Sequence, residues 1–244
     1  MTHSDLAALR GEPSYVWRAG QERRLALIAR WTRLEGAHVL VDGCGVGMYA
    51  AQIGERFGAV VDAFDIETER VAEARLKTPR AVIAAAEALP YPANCFDTVL
   101  SHEVLEHVRD DRMAVQEMVR VLKVGGRVVI FVPNRWYPFE THGHYWRGRY
   151  HFGNTPLINY LPDGLRNQLA PHVRAYTQRG LLQLFEGCPV QKIAQQRIFG
   201  GYDNLIVKLG AIGRALRAAL QRSEGTPFDV FGLSHFIVME KVGR

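Results

Sequence analysis

The segment Val39-Leu-Val-Asp42-Gly43-Cys-Gly45-Val-Gly47 constrains the fold more than any other part of the chain. An apolar run that ends on an acid and alternating glycines reads as a buried strand turning directly into a helix. Such a turn needs unusual dihedrals, and it lets a ligand approach the backbone more closely than a β-carbon allows. In open parallel sheets ligands bind at the carboxyl ends of the strands, where this first turn lies. Dinucleotide folds space their glycines G-x-G-x-x-G, the last one serving helix packing around a pyrophosphate. Here Met48 fills that last place, so the compact spacing suits a ligand without a pyrophosphate.

The rest of the chain supplies matching units. Strands are expected at His38–Asp42, Val60–Phe64, Ala81–Ala84, Thr98–Leu100 and Arg127–Val132, with helices over Glu67–Leu76 and Asp111–Leu122, the latter broken by Gly125-Gly126. A helical pattern over Leu25–Trp31 precedes them, and another resumes at Tyr49–Ile53. Alternation of this kind implies βαβ units and a mostly parallel sheet. The rhythm stops between Asn134 and about His172, where aromatics, glycines, prolines and histidines crowd into an expected irregular cap. A helix over Gln178–Glu186, strands over Val190–Phe199 and His235–Lys241, and a basic amphipathic helix over Leu205–Arg222 complete the chain.

Composition excludes several classes. With 244 residues, 48% hydrophobic and 23% charged, the chain is a globular domain of generous size, and its net charge of +5 is too small for a nucleic-acid binder. Cys44, Cys95 and Cys188 form no C-x-x-C pair, so neither a zinc site nor a disulfide framework is indicated. The start, Met1-Thr-His-Ser-Asp5, lacks a basic region followed by an apolar core, and no apolar stretch reaches the roughly 20 residues of a membrane span. A soluble protein in a reducing cytoplasm is the expectation.

Asp65 ends the second strand 18 residues after Gly47, where a carboxylate can accept hydrogen bonds from both hydroxyls of a ribose. The competing reading, glycines and acids that merely make surface turns, weakens once loop, acid and topology occur together. From Val39 to Asn134 the chain resembles the class I methyltransferases, in particular the small-molecule enzymes related to the ubiquinone-biosynthesis type. The resemblance rests on the glycine loop, Phe64-Asp65-Ile66, Ala86-Glu-Ala-Leu-Pro90, Cys95-Phe-Asp-Thr-Val-Leu-Ser101, Val104-Leu-Glu106-His107-Val108 and Leu122-Lys-Val-Gly125-Gly126.

It implies a Rossmann-like α/β fold: a seven-stranded, mostly parallel sheet sandwiched by helices, forming a single domain over residues 1–244 with a substrate-binding cap over 134–176. It implies S-adenosylmethionine as the cofactor, with Gly43, Gly45 and Gly47 lining its methionine and ribose portion above Asp42. Asp65 would hold the ribose, Ile66 flank the adenine, Ala86 and Glu87 border the adenine edge, and Ser101 contact the methionine side. Family members often carry an aspartate before Ala-Glu, whereas this chain has Ala85.

Methyl transfer from a sulfonium asks mainly for proximity and alignment, and needs a general base only for a weakly acidic nucleophile. The candidate catalytic residues are His102, close to the expected mouth, and Glu140, His142 and His144 after strand five. Glu106-His107 reads as packing or capping. A lid whose polar groups bond its own backbone is the plainer reading of 134–176, and a metal on His142 and His144 the weaker one, so no metal is assigned. Tyr15-Val-Trp17-Arg18 either folds over the cofactor or packs on the sheet. Leu205, Leu209, Ile212, Leu216 and Leu220 form a stripe expected to pack on the protein or on a second subunit, with peripheral contact to a membrane or a lipid-linked substrate as the alternative. The reading is methyl transfer to a small-molecule acceptor, chiefly O-methylation of a quinol, sugar or lipid-linked intermediate. A non-catalytic S-adenosylmethionine binder and a nucleotide-cofactor dehydrogenase are the alternatives.

Overall fold

Strand β5 (Leu122–Pro133) shows how the layers form: Val128, Ile130 and Val132 face one apolar core and Val129 and Phe131 the other, all fully buried. Alternate side chains of a strand point to opposite faces, so a strand apolar at every position must lie between two helical layers. The computed structural model describes residues 15–243; the start of the chain, on which the expectation about a leader rests, lies outside them.

In chain order the elements are α1 (Ala19–Trp31), β1 (His38–Asp42), α2 (Met48–Phe57), β2 (Val60–Asp65), α3 (Thr68–Ala74), β3 (Ala81–Ile83), β4 (Phe96–His102), α4 (Asp111–Val121) and β5 (Leu122–Pro133). After an insertion come α6 (Gln178–Gln183), β10 (Val190–Ile198), α7 (Asp203–Arg222) and β11 (Ser234–Lys241). The seven-stranded sheet runs β10-β11-β5-β4-β1-β2-β3, and β11 alone is antiparallel to its neighbours. α1, α2 and α3 cover one face, while α4 and α6 cover the other. This is the Rossmann-like, seven-stranded, mostly parallel sheet sandwiched by helices that the resemblance implied.

Two local expectations shift. The Gly125-Gly126 pair does not separate helix from strand: β5 already begins at Leu122 and pairs with β4 from Phe96, with a register shift before Thr98. Gly126 lies so near the carbonyls of Lys123 and Asp97 (2.9 and 3.0 Å from a built Cβ) that a side chain there would displace backbone. In α7, Gly210 takes φ 54 and ψ −120, so the helix is kinked. Its apolar stripe is not fully covered by the described residues, since Ile212 is 72% exposed. Among the described residues no helix is long and apolar enough to cross a membrane.

The insertion between β5 and α6 is ordered by hydrogen bonds. It contains the small sheets β6 (Phe139–Glu140) with β9 (Thr155–Pro156), and β7 (His144–Trp146) with β8 (Arg149–His151), followed by α5 (Asp163–Leu169). Its two ends meet: the Tyr176 amide donates to Pro133 O at 2.9 Å, and the Arg135 amide to Tyr176 O at 2.8 Å. Buried Asn134 donates its Nδ2 to Val230 O and Gly232 O, at 2.8 and 2.7 Å. The hub is Arg166, whose buried guanidinium donates to Val173 O (2.8 Å), Asn159 Oδ1 (3.3 Å) and Glu140 Oε2 (2.8 Å).

Both side chains of the Arg166–Glu140 pair are 3% exposed. Removing one partner of such a pair strands the other charge in the interior. Arg166→Ala is therefore expected to cost about 3–5 kcal/mol in a denaturant titration; a loss below about 1 kcal/mol, the size of an exposed pair, would contradict this account of the insertion.

Candidate active site

At the carboxyl ends of β1 and β2 the loop and the acid are joined directly. Gly43, Gly45 and Gly47 all take positive φ (56, 52 and 81). Gly47 caps the start of α2, and a Cβ there would stand 3.2 Å from Ala74 Cα, so both conformation and space demand glycine. Asp65 is the tie. Its Oδ2 accepts the Gly45 amide at 2.9 Å and its Oδ1 the Glu67 amide at 3.0 Å. A carboxylate has about four lone-pair sites, so each oxygen keeps one for a ligand.

Gly43, Asp65 and Glu67 line one cavity of about 520 Å3, while Gly45 and Gly47 shape the loop behind its wall without lining it. Asp42, Gly43, Asp65 and Ile66 form one side, Ala84 to Glu87 a second, and Glu103, Val104, His107 and Met113 a third. Ile66 is 52% exposed, an apolar side chain available to a flat ring. Asp42 is buried, and that burial pushes its carboxyl up to about 7 against the lowering influence of the Ser101 hydroxyl beside it. A buried carboxyl in a cavity wall suits a ligand that brings N–H donors. Glu87 Oε1 accepts the Arg109 amide at 2.8 Å, so only its other oxygen remains for the cavity. Ser101 pairs with Asp42 across β1 and β4, is fully buried and does not line the cavity, away from the contact expected of it.

The four candidate catalytic residues are not gathered together. His102, at the end of β4, lines a second cavity of about 870 Å3. Burial pushes its imidazole down to about 3, and Arg24 Nη1 donates to its Nε2 at 2.9 Å, so it is a neutral acceptor. Glu103 faces the first cavity with Ser234 Oγ donating to it at 2.9 Å; burial would raise its carboxyl, but the Arg24 guanidinium holds it at about 2. Glu140 is buried against Arg166; burial would raise its carboxyl too, but the contacts to His142 and Arg166 hold it at about 2. His144 bonds Thr155 Oγ1 through Nδ1 (2.9 Å) and stacks on His151.

His142 instead joins residues the sequence reading treated as packing. Its Nδ1 contacts Glu140 Oε1 at 3.2 Å, while its Nε2 faces Glu106 Oε1 at 3.9 Å and its ring packs against His107. Burial, reinforced by Glu103, pushes the Glu106 carboxyl well above the usual carboxylate range. The spacing Glu103-x-x-Glu106-His107, which brings side chains to one side of a turn, was the available signal. The second cavity was missed altogether. Arg18, Arg23, Arg24 and Lys208 give it a cationic rim, while Leu216 and Phe231 give it apolar wall. Arg18 thus sits at this cavity, and Trp17 packs edge-on against Tyr49.

A cradle of positive-φ glycines locked to a strand-end acid, in a doubly wound sheet, defines a nucleotide-type cofactor site. Comparison with known proteins gives the particular kind. Residues 40–130 match the family described as "Methyltransferase domain". A ubiquinone biosynthesis O-methyltransferase of Paracidovorax citrulli is 38% identical over 121 residues, 46% of this chain and 50% of that protein. A probable S-adenosylmethionine-dependent methyltransferase of Mycolicibacterium smegmatis is 35% identical over 105 residues, 42% of this chain and 40% of that protein. The alignments thus span half or less of these relatives. An S-adenosylmethionine-dependent methyltransferase from Mesorhizobium loti shares the fold at TM-score 0.63 with 19% identity, over 89% of this chain and 96% of that one. Residues 40–130 thus match a methyltransferase domain, in a chain that shares the fold of S-adenosylmethionine-dependent methyltransferases.

Two substitutions test the cradle. Asp65→Asn keeps the shape of the side chain and removes its charge, and is expected to weaken S-adenosylmethionine by about 1.5–3 kcal/mol in calorimetry. Gly47→Ala is expected to weaken it comparably, through the strained cap. Unchanged affinity in both would remove the cofactor from this loop.

Proposed function

We propose that the protein transfers a methyl group from S-adenosylmethionine to an oxygen of a small amphipathic acceptor of quinol, sugar or lipid-linked type. The observation that carries the donor side is the Asp65 carboxylate, bonded to the loop and still offering lone pairs to a ribose at the cavity wall. The match to the methyltransferase family and the likeness to a ubiquinone biosynthesis O-methyltransferase support the reaction class and favour oxygen.

When bound, S-adenosylmethionine supplies an electrophilic methyl on a sulfonium whose leaving group is a neutral thioether. The chain's own task is then to bind and align the partners, which by itself accounts for several kcal/mol of barrier. Gly43 to Gly47, Asp65, Ile66 and Ala86 would hold the donor, and the Asp42 carboxyl would meet its positive end. The acceptor would occupy the second cavity, which adjoins the first along the end of β4, where His102 lines one and Glu103 the other. Arg18 and Lys208, beside Arg23 and Arg24 that pair with Glu224 and Glu103, and the leucine and phenylalanine wall fit an acceptor with a polar or anionic head and an apolar body. His102 would help shape this pocket rather than withdraw a proton, because its Nε2 already accepts from Arg24.

The test is incubation with methyl-labelled S-adenosylmethionine and separate panels of quinols, glycosides and lipid extracts. Labelled product is expected from an amphipathic hydroxylated acceptor, and Lys208→Glu should raise its KM about tenfold, 1.4 kcal/mol of ground-state binding, with little change in kcat. Tight donor binding without label in any panel would point to a protein that binds the cofactor and does not turn it over.

A further inference from the structure

The second cavity has a third wall that is neither cationic nor aliphatic. Tyr137 of the insertion and Tyr202, at the start of α7, both line it. Their hydroxyls hydrogen-bond to one another, and Tyr202 Oη also accepts the Gly200 amide. The pair thus bridges the insertion and the turn before α7 across the cavity wall. Both tyrosines are held from behind. The turn that carries Tyr202 is pressed onto α1, where a Cβ built on Gly201 would stand 2.9 Å from Gly20 Cα. Tyr202 itself takes φ 49, a left-handed conformation that is costly for a bulky side chain and persists only where the surroundings fix it. Strain of this kind recurs at ligand clamps. Tyr137 is fixed through its backbone: its amide donates to Asn134 O at 3.0 Å, and its carbonyl accepts from Asn159 Nδ2 at 3.2 Å.

The proton count gives the pair a direction. A phenol has one O–H to donate and lone pairs with which to accept. Tyr202 receives the Gly200 amide and gives its own proton to Tyr137, so the bond favours ionisation of Tyr137 and opposes that of Tyr202. Tyr137 accepts in this bond, so its own O–H is left over, and no hydrogen bond among the described residues uses it. Linked hydrogen bonds polarise one another, which makes a donor at the end of such a chain stronger than an isolated hydroxyl. Burial pushes both phenols up. They keep their protons at neutral pH, so the pair can bind an oxygen but cannot serve as a base.

We propose that Tyr137 selects the acceptor by donating its hydroxyl proton to a hydroxyl, ether or carbonyl oxygen, with Tyr202 as its positioning residue. This role rests on the reading that the acceptor occupies the second cavity. Three features then define the ligand: a polar or anionic head for Arg18 and Lys208 at the rim, an apolar body for Leu216 and Phe231, and an oxygen for Tyr137. A pocket built to hydrogen-bond an oxygen rejects the analogue that lacks it, because the pocket's own polar group is then left unpaired. The tyrosine pair therefore discriminates between acceptors of the same shape, which the cationic rim and the apolar wall do not.

The test compares two soluble probes that differ by one hydroxyl, 6-hydroxynaphthalene-2-sulfonate and naphthalene-2-sulfonate. Each is titrated by calorimetry into the full chain, with S-adenosylmethionine present to occupy the first cavity. The wild type is expected to prefer the hydroxylated probe about tenfold. Tyr137→Phe should abolish that preference by weakening the hydroxylated probe alone, and Tyr202→Phe should shrink it. Both variants should keep the wild-type affinity for naphthalene-2-sulfonate, whereas a merely structural loss would weaken the two probes together. Lys208→Glu, which removes a cation available to the sulfonate, should weaken both probes equally and so place them in this cavity. Equal wild-type affinity for the two probes, or a preference that survives Tyr137→Phe, would overturn the selecting role and leave the acceptor's place in the cavity untouched. Probes that ignore Lys208→Glu, or that do not bind the wild type, would overturn that placement and the tyrosine role with it.

Discussion

The Asp65 carboxylate joins two turns that would otherwise be independent. By accepting the Gly45 amide with one oxygen and the Glu67 amide with the other, it fixes the loop after β1 against the loop after β2. Both turns stand at the carboxyl ends of adjacent parallel strands, Val39 to Asp42 running beside Val61 to Phe64, so the bond crosses where the sheet opens a crevice. An ionised acceptor bonded by two amides is held more firmly than a neutral one. The cavity wall is thereby built into the fold before any ligand arrives.

A second buried acid organises the far side. Glu140 joins Arg166, the hub of the insertion, to His142, so the same carboxylate that anchors the insertion also aims an imidazole at Glu106. The insertion is in turn sewn through Asn134 to the segment before β11 and through Tyr176 to β5 and to His235 of β11, and Tyr176 Oη donates to Leu105 O at 2.9 Å, beside Glu106. The two cavities then divide along β4, whose successive residues His102 and Glu103 face one each.

The parts legible in the sequence are those whose physics is local. The β1 run, the positive-φ glycines and Asp65 sit within a single βαβ unit, and the period of two or 3.6 marked all seven strands of the main sheet to within a few residues. β5 began earlier than expected because Leu122 pairs across the sheet with Phe96, a contact that sequence periodicity does not register. Glu140 was read as a candidate base because nothing near it in sequence announces Arg166, which turns it into a paired structural charge. The Glu106, His107 and His142 group was hidden for the same reason, since the turn after β4 and the insertion meet only once the chain is folded. The acceptor cavity is the extreme case, assembled from α1, the turn after β10, α7 and the insertion.

The central claim is that the Gly43–Gly47 loop and Asp65 hold S-adenosylmethionine. A crystal structure of the chain soaked with S-adenosylhomocysteine tests it most directly. The account predicts the nucleoside in the cavity lined by Asp42, Asp65 and Ile66, with both ribose hydroxyls bonded to the Asp65 carboxylate and its bonds to the Gly45 and Glu67 amides retained. Ligand density in the second cavity, or a ribose out of reach of Asp65 in a fully occupied site, would contradict it.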